Sequence, residues 1–262
     1  MSVSPRPDAV ARQYASAANL NLRASLHEKY SVNPQGFMPW LFGQYIIRPG
    51  DSLLEVGCGN GSLWKGRLDR LPKGCRLTLT DLSQGMLDAA REALGTPDFV
   101  TFAQADIQAL PFPDACFDTV IANMMLYHVP DLDAALAQAR RVLKPGGTFC
   151  CATYGEFGVS GFLAKNLAEF GVTDALNHSF TKRTGVEPLR RFFGDVRWAE
   201  YADALEVTEA DDVADYLYSL TGMANLDPAR RPAIVAKLRG LMTDGVLRIP
   251  KEYGTFMCRQ GI

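Results

Sequence analysis

Short apolar runs alternate with segments of helical periodicity through the middle of the chain, between residues 50 and 154. Runs of four to six mostly apolar residues are typical of buried strands, whereas apolar positions spaced three and four apart are typical of helices. Strands that alternate with helices predict a parallel, doubly wound sheet whose ligand lies outside the carboxyl ends of the strands. The predicted strands are Ser52–Val56, Arg76–Thr80, Phe99–Ala103, Phe117–Ala122 and Thr148–Thr153, and the predicted helices are Ser62–Leu71, a helix from a Ser83 cap to Leu94, and one from an Asp131 cap to Leu143.

Segments of helical spacing also lie before and after this core. Residues 8–30 contain no proline and predict a helix, and an aromatic-rich helix is predicted over Phe37–Ile47. A sixth strand with an irregular centre is predicted over Val196–Val207, and a final hairpin or long strand over 246–259. We expect the helices between these last strands to cover the ligand end of the sheet. The helices predicted after the core are Val159–Phe170, Glu187–Phe193, Asp211–Leu220 and Ala229–Met242.

The composition fits one large α/β domain and argues against a nucleic-acid or membrane partner. The chain has 262 residues, of which 47% are hydrophobic and 21% charged. With 27 basic and 29 acidic side chains and a pI near 6.0, it lacks the positive excess typical of nucleic-acid binding. No apolar run approaches the roughly 18–20 residues of a membrane span, and the first residues have no apolar signal-peptide core. We expect a cytoplasmic protein, either a monomer or a homodimer.

The cysteines predict buried free thiols rather than disulfides or a metal site. None of the six forms a C-x-x-C pair, and none of the three histidines lies near a cysteine pair. Free thiols in core strands are ordinary in a reducing compartment. We therefore expect no bound metal.

A glycine-rich stretch, Leu53–Gly61, carries most of the functional information. It predicts a buried strand that turns sharply and continues into a helix whose N-terminus faces a ligand. Gly57, Gly59 and Gly61 allow a close approach of the backbone to that ligand, because a Cβ would block it. Glu55 lies inside the end of the strand, and a buried carboxylate is costly unless a donor or a cation pairs with it. A sulfonium amino acid offers both.

Two well-known phosphate-binding loops fit this stretch poorly. A dinucleotide loop needs glycine or alanine where the chain has Ser62, and a P-loop needs a lysine that is absent here. Asp81 ends the second strand, where an acid can accept from both ribose hydroxyls. Asp106 follows the third strand and can accept from an adenine amino group, and Asn123 ends the fourth strand, where it can face a bound amino acid. The residues that could flank an adenine ring are Leu82, Ala105 and Ile107.

These features occur together in one known family. The chain resembles class I S-adenosylmethionine-dependent methyltransferases, well over about residues 50–154 and loosely elsewhere. Two segments, Leu110–Phe112 and Tyr127–Asp131, resemble the branch that methylates small molecules. The other segments that carry the resemblance are Glu55–Gly61, Thr80–Ser83, Ala105–Ile107, and the stretch from Phe117-Asp118 through Gly146-Gly147.

The resemblance implies a fold, a cofactor and a division of the chain. The fold is a seven-stranded, mostly parallel, Rossmann-like sheet with an N-terminal helical lid and a helical cap inserted in the C-terminal half. The cofactor is S-adenosylmethionine and the product S-adenosylhomocysteine. A lid over 1–48, a cofactor-binding core over 49–154 and an acceptor side over 155–262 form one integrated domain. The implied cofactor contacts are Gly57, Cys58, Gly59 and Gly61 at the methionine part, with Glu55 ordering that loop, Asp81 at the ribose, Leu82, Asp106 and Ile107 at the adenine, and Asn123 at the amino acid.

The expected reaction asks little of the protein's side chains. Methyl transfer from a sulfonium is an in-line displacement with an activated donor, so the protein mainly positions the acceptor and removes water. A general base is needed only when the attacking atom keeps a proton. His128, after the fourth strand, is the candidate for a base or an acceptor-orienting group, and a histidine that only packs in a turn is an equal alternative. The acceptor or lid candidates are Tyr14, His27, Tyr30 and Tyr127. The first three, as exposed residues of an N-terminal helix, need no function.

We expect an enzyme that methylates an N, O, S or C atom of a small molecule. An RNA or protein methyltransferase is one alternative, although Asn123–Leu126 replaces the Asn/Asp-Pro-Pro-aromatic motif of enzymes that methylate exocyclic base amines. A non-catalytic cofactor-binding regulator or scaffold is another, and it would lack an open acceptor cavity. A nucleotide-dependent oxidoreductase is disfavoured by Ser62 and Glu55.

Overall fold

Seven strands form one sheet in the computed structural model, which describes residues 17–174, 176–220 and 226–259. The strands are β1 (Ser52–Val56), β2 (Arg76–Asp81), β3 (Val100–Gln104), β4 (Phe117–Ile121), β5 (Leu143–Tyr154), β6 (Asp195–Val207) and β7 (Leu247–Arg259). Their order is β3-β2-β1-β4-β5-β7-β6; the first five are parallel, and β7 is antiparallel to both neighbours. The predicted doubly wound, mostly parallel sheet is confirmed.

Helices cover both faces of the sheet and its carboxyl end. Their bounds are α1 (Ala17–Tyr30), α2 (Phe37–Gln44), α3 (Gln84–Leu94), α4 (Leu132–Val142), α5 (Val159–Leu167), α6 (Val186–Phe192), α7 (Ala210–Ser219) and α8 (Arg231–Gly240). Ser83 and Asp131 cap α3 and α4 as predicted, because each side chain accepts from a backbone N–H of the first turn. The start predicted for the first helix, before Ala17, lies outside the described residues. Helix α2 ends before the predicted Ile47 because Tyr45 is extended and turns its ring into the core.

Two apolar cores lie on opposite faces of the sheet. Alternate residues of β1 point to opposite sides, so Leu54 packs with Val120 and Phe149 on one face, and Leu53 packs with Ile121 on the other. Helix α4 covers the first core, and α2 and α3 cover the second. Because the central strands are buried on both faces, their sequences are apolar nearly throughout. No helix in the described part of the chain is long and apolar enough to cross a bilayer.

The helix predicted over Ser62–Leu71 is wrong. Residues 62–67 form turns, and only Leu68–Arg70 make a short 3-10 helix. Gly66 takes a left-handed φ of +68°, which interrupts any α-helix begun at the glycine loop. The guanidinium of Arg67 then donates to three carbonyls of the preceding turn, which a helix would have used internally. The helix N-terminus predicted to face the ligand is therefore wrong as well.

The last two strands form a long antiparallel pair. Strands β6 and β7 pair along their whole length, so the irregular centre predicted for the sixth strand is wrong, and the last segment is one long strand. Strand β5 begins earlier than predicted, at Leu143, where it already pairs with β4. Tyr253 pairs with Tyr154 at the end of β5, so residues 202–207 and 247–252 project beyond the carboxyl edge of the parallel strands.

A third apolar cluster surrounds the projecting strands. Leu205 and Ile249 belong to it, and side chains of α1, α5, α7 and α8 pack around them. Lys251 Nζ and Asp203 Oδ2 form a buried ion pair at 2.5 Å between the same two strands. This helical layer lies at the carboxyl end of the sheet, where ligands of doubly wound folds bind. The division into lid, core and cap stays a prediction.

Candidate active site

Residues Gly57–Gly61 form an open loop after β1. Gly59 and Gly61 take left-handed φ values of +55° and +74°, which side chains rarely adopt. A Cβ on Gly61 would lie 2.7 Å from Leu94 Cδ1, whereas a Cβ on Gly59 would meet no atom within 4 Å. Cys58, which precedes Gly59, is buried, and its N–H donates to a carbonyl of β2 at 2.9 Å. Packing therefore requires glycine at Gly61, while Gly59 faces open space.

Asp81, at the end of β2, holds the glycine loop through its carboxylate. Oδ2 accepts from the N–H of Gly59 at 2.9 Å, and Oδ1 accepts from the N–H of Ser83 at 2.9 Å. Each carboxylate oxygen has a second lone pair, so both can accept another hydrogen bond. Leu82, the next residue, is 52% exposed and offers an apolar surface beside the acid.

Glu55 is a buried carboxyl with no cationic partner among the described residues. Its side chain is 3% exposed, and Oε2 accepts from Trp64 Nε1 at 2.6 Å. Burial raises the pKa of Glu55 to about 8, against the opposing effect of hydrogen bonds from Trp64 and Asn123, and the nearby charge of Asp81 raises it further. Near neutral pH the group is therefore mostly protonated.

Asn123 lies just past the carboxyl end of β4, and the nitrogen and the oxygen of its side-chain amide differ in their hydrogen bonding. Its Nδ2 donates to the hydroxyl of Tyr45 at 2.8 Å and also faces Glu55. Its Oδ1 is buried and has no hydrogen-bond partner in the described part of the chain. An unpaired buried carbonyl costs about 1–3 kcal/mol, so this atom favours a ligand that donates to it.

Asp106 lies just past β3 and caps a 3-10 helix over Ile107–Ala109. Its Oδ1 accepts from the backbone N–H of Gln108 at 2.9 Å, and the side-chain amide of Gln108 lies 3.1 Å from both carboxylate oxygens. The carboxylate thus has a structural role in addition to any contact with adenine. The polar residues at the carboxyl edge follow the strand order β3, β2, β1, β4, as Asp106, Asp81, Glu55 and Asn123.

The segment that holds these residues matches a known family. A family model described as a methyltransferase domain matches residues 54–151. The malonyl-[acyl-carrier protein] O-methyltransferase of Geobacter sulfurreducens is 33% identical over 183 residues, which is 67% of this chain and 67% of that protein. The chain belongs to the class I S-adenosylmethionine-dependent methyltransferases.

Other methyltransferase relatives match over a shorter segment. The ubiquinone/menaquinone biosynthesis C-methyltransferase UbiE of Brucella anthropi is 36% identical over 112 residues, which is 42% of this chain and 43% of that protein. The chain thus spans less than half of the length of this curated relative. Among solved structures, the [4+2]-cyclase SpnF has a TM-score of 0.58 at 20% identity and covers 99% of this chain and 98% of its own. A likeness at this identity shows the fold alone.

Membership of this methyltransferase family makes S-adenosylmethionine the cofactor. The residues at the carboxyl edge have the chemistry that its parts need. Asn123 and Glu55 offer acceptors for an ammonium group, Asp81 has free lone pairs for ribose hydroxyls, and Leu82 offers an apolar surface for adenine. With the open space at Gly59, these residues fit the cofactor.

His128 and Tyr127 lie in a 3-10 turn, Leu126–His128, shortly after Asn123. Their ring centroids are 4.5 Å apart, and the ring of Tyr127 also lies 4.7 Å from that of Tyr154. Burial lowers the pKa of His128, so its imidazole is neutral near pH 7. The turn follows β4 at the ligand end of the sheet, but a role of either side chain in catalysis stays a prediction.

The three lid candidates differ in their surroundings. Tyr14 lies outside the described residues. Tyr30 is buried and donates its hydroxyl to Asp212 Oδ2 at 2.6 Å, which ties α1 to α7. His27 packs against the ring of Tyr253 at a centroid distance of 5.9 Å. The expectation that these residues are exposed on a helix is therefore wrong for His27 and Tyr30.

Two residues of this site, Trp64 and Tyr45, were not predicted from the sequence. The acid at Glu55 was the available signal, because a buried carboxyl requires a donor nearby. One donor, Trp64, lies in the segment wrongly predicted as a helix, and Tyr45, at the end of α2, acts through Asn123. The described residues contain no group of three His, Cys, Asp or Glu that could hold a metal ion, and all six cysteines are free.

Proposed function

We propose that the chain transfers a methyl group from S-adenosylmethionine to a small-molecule acceptor. The observation that carries this proposal is a shortage of hydrogen-bond donors to two buried side chains at the carboxyl ends of β1 and β4. Glu55 has Trp64 and Asn123 but no cation, and Asn123 Oδ1 has no donor among the described residues. The ammonium group of an amino acid supplies both donors and charge, so a bound sulfonium amino acid satisfies both groups.

The same proposal assigns protein contacts to the remaining parts of the cofactor. Asp81 would hold the ribose hydroxyls while fixing the loop at Gly59. Asp106 and the backbone of Ile107 would hold the adenine, and Leu82 would lie against its face. Around the methionine part we place the glycine loop residues Gly57, Cys58, Gly59 and Gly61.

Little acid-base chemistry is needed for this reaction. When bound, the cofactor supplies a methyl group already activated on a sulfonium sulfur. The protein's part is to hold the acceptor atom in line and to exclude water, which aromatic walls do well. If the attacking atom keeps a proton, neutral His128, with Tyr127 beside it, would accept that proton.

Two alternatives are less well supported. An RNA acceptor fits poorly with 27 basic against 29 acidic side chains and with a ligand end enclosed by α1 and α7. A non-catalytic regulator would need the cofactor residues without a wall for an acceptor, whereas rings of Tyr127, Tyr154 and His128 line the turn after β4. The Brucella and Geobacter relatives, a quinone-biosynthesis C-methyltransferase and an O-methyltransferase, also favour an enzyme.

Gly59→Ala is expected to weaken S-adenosylmethionine binding by at least about tenfold. The added Cβ would enter the open space in front of the loop, where the proposal puts the methionine part. The left-handed φ of +55° adds a stability cost of about 1–2 kcal/mol. Calorimetry of cofactor binding and urea denaturation measure the two effects separately.

Gly66→Ala is the matched control for that variant. Gly66 also has a left-handed φ, +68°, and also has no atom within 4 Å of a built Cβ, but it lies in the turn beyond the loop. It should lose similar stability and keep wild-type cofactor affinity. Equal affinities in the two variants would show that Gly59 does not line the cofactor site.

A further inference from the structure

Four rings meet where α1 and α2 pack over the projecting end of the sheet. His27 lies 5.8 Å from Tyr216 and 5.9 Å from Tyr253 between ring centroids, and Phe37 lies 5.3 Å from Tyr253. We call His27, Phe37, Tyr216 and Tyr253 the aromatic cluster. The side chains of His27, Phe37 and Tyr253 are only half-buried, so the aromatic cluster keeps an accessible surface.

His27 contributes an unsatisfied polar atom to the aromatic cluster. Its Nδ1 is buried and has no hydrogen-bond partner in the described ranges. Burial and the neighbouring charge of Lys251 lower the pKa of His27 to about 4, although Asp203 opposes them. The imidazole is therefore neutral near pH 7, and one ring nitrogen of a neutral imidazole is a hydrogen-bond acceptor.

The full charges beside the aromatic cluster are paired with each other. Lys251 Nζ lies 5.3 Å from the ring centroid of Tyr253, but it is paired with Asp203 at 2.5 Å, and the two side chains are only 4% and 0% exposed. Glu252 points away, because its carboxylate accepts from the N–H of Phe157 at 2.8 Å. A charged ligand would therefore lose its hydration here without gaining an unpaired counter-charge, which costs several kcal/mol.

The aromatic cluster lies on the same edge of the sheet as the proposed cofactor residues. Tyr253 pairs with Tyr154 at the carboxyl end of β5, and β5 is the neighbour of β4, which ends two residues before Asn123. Adjacent strands are about 4.8 Å apart, so β4 and β7 are only about 10 Å apart.

We propose that the aromatic cluster binds the methyl acceptor, and that this acceptor is an uncharged aromatic ring whose hydroxyl donates to His27. The inference rests on the proposed function and adds the acceptor's chemical class and position. Rings stack against Phe37 and Tyr253, and the hydroxyl satisfies the buried imidazole nitrogen. Because Lys251 and Asp203 are already paired, the site offers no free counter-charge to phosphate, carboxylate or ammonium groups.

The test titrates protein saturated with S-adenosylhomocysteine with three probes that share one ring system. 2-Naphthol has the hydroxyl, naphthalene lacks it, and 2-naphthyl phosphate replaces it with an anion. We expect 2-naphthol to bind about fivefold more tightly than naphthalene, as for one neutral hydrogen bond, and at least about tenfold more tightly than the phosphate.

His27→Phe separates the hydrogen bond from the packing. It should lower the affinity for 2-naphthol to that for naphthalene, about fivefold, and leave naphthalene and S-adenosylhomocysteine binding unchanged. His27→Gln, which retains an acceptor, should recover most of the difference. His178→Phe is the matched control, because His178 is paired with Asp174 at 2.9 Å outside the cluster. If His27→Phe fails to fold, Tyr253→Leu replaces it as the test, and it should weaken the binding of both 2-naphthol and naphthalene about tenfold.

Each result bears on one of the two proposals. Failure of S-adenosylhomocysteine to bind would overturn the proposed function. If S-adenosylhomocysteine binds but 2-naphthol does not, or if the phosphate binds as well as the naphthol, the acceptor inference is wrong. An equal loss of 2-naphthol and naphthalene affinity in His27→Phe would also contradict it. That result would mean that His27 only packs against the ring and makes no hydrogen bond to the hydroxyl.

Discussion

Asp81→Ala is expected to weaken S-adenosylmethionine binding by about 100-fold. The carboxylate fixes the loop through the N–H groups of Gly59 and Ser83, both at 2.9 Å, and its remaining lone pairs are proposed to accept from the ribose hydroxyls. Hydrogen bonds to charged groups are worth about 1.5–3 kcal/mol each, and about 2.7 kcal/mol corresponds to 100-fold in affinity. Calorimetric titration of the variant with S-adenosylmethionine measures the loss.

Two further variants control this experiment. Asp81→Asn keeps the shape and one acceptor oxygen, so its loss should be intermediate, about tenfold. Asp88→Ala removes an exposed acid of α3 that bonds only Arg91 and Gln84 among the described residues, and it should bind the cofactor like the wild type. Unchanged affinity in Asp81→Ala would mean that Asp81 does not hold the cofactor.

Asp203→Ala is expected to destabilise the fold by about 3–5 kcal/mol. It would leave the ammonium of Lys251 buried without a counter-charge, a large loss for a domain whose total stability is about 5–15 kcal/mol. Asp203 also accepts from the hydroxyl of Ser31 and from the N–H of Asn33, so the segment after α1 would lose two of its hydrogen bonds to β6. Urea denaturation at pH 7 measures the change in the free energy of unfolding.

The double variant Asp203→Leu/Lys251→Met isolates the charge effect. Replacing both partners by apolar residues removes the uncompensated charge, so most of the lost stability should return. Burial alone would raise the pKa of Asp203, but hydrogen bonds from Lys251 and Ser31 hold it below its ordinary 3.8. Because the folded pKa is the lower one, this contribution is present above about pH 4 and is lost as pH falls further. A single-variant cost below about 1 kcal/mol would contradict the account.

Prediction from the sequence succeeded where one local pattern decided the structure. The apolar runs of β1 to β5 and the caps at Ser83 and Asp131 depend on neighbours along the chain, and both were predicted correctly. The helix predicted after Gly61 is wrong because apolar spacing does not show that Gly66 takes a left-handed conformation. The sequence leaves a hairpin and one long strand as alternatives for residues 246–259. The choice depends on the pairing of β7 with β6, which is a contact between residues distant in the chain.

The candidate site shows the same division. Glu55, Asp81 and Asp106 were identifiable because each acid ends or follows a strand whose position could be predicted. Their hydrogen-bond partners could not be predicted. The donor Trp64 lies in a segment for which the spacing wrongly predicts a helix, and Tyr45, at the end of α2, reaches Asn123 across the core. The aromatic cluster likewise joins α1, α7 and β7, which only the folded chain brings together.

The central claim is that Glu55 and Asn123 bind the ammonium group of S-adenosylmethionine. Titrating the protein with this cofactor at pH 7, by calorimetry in two buffers with different ionisation enthalpies, gives both the affinity and the number of protons released. Because the pKa of Glu55 is about 8 before binding and should fall beside a cation, we predict a dissociation constant in about the micromolar range with release of most of one proton. Glu55→Gln should abolish the release. No binding, equal binding of NAD, or binding without proton release would contradict the account.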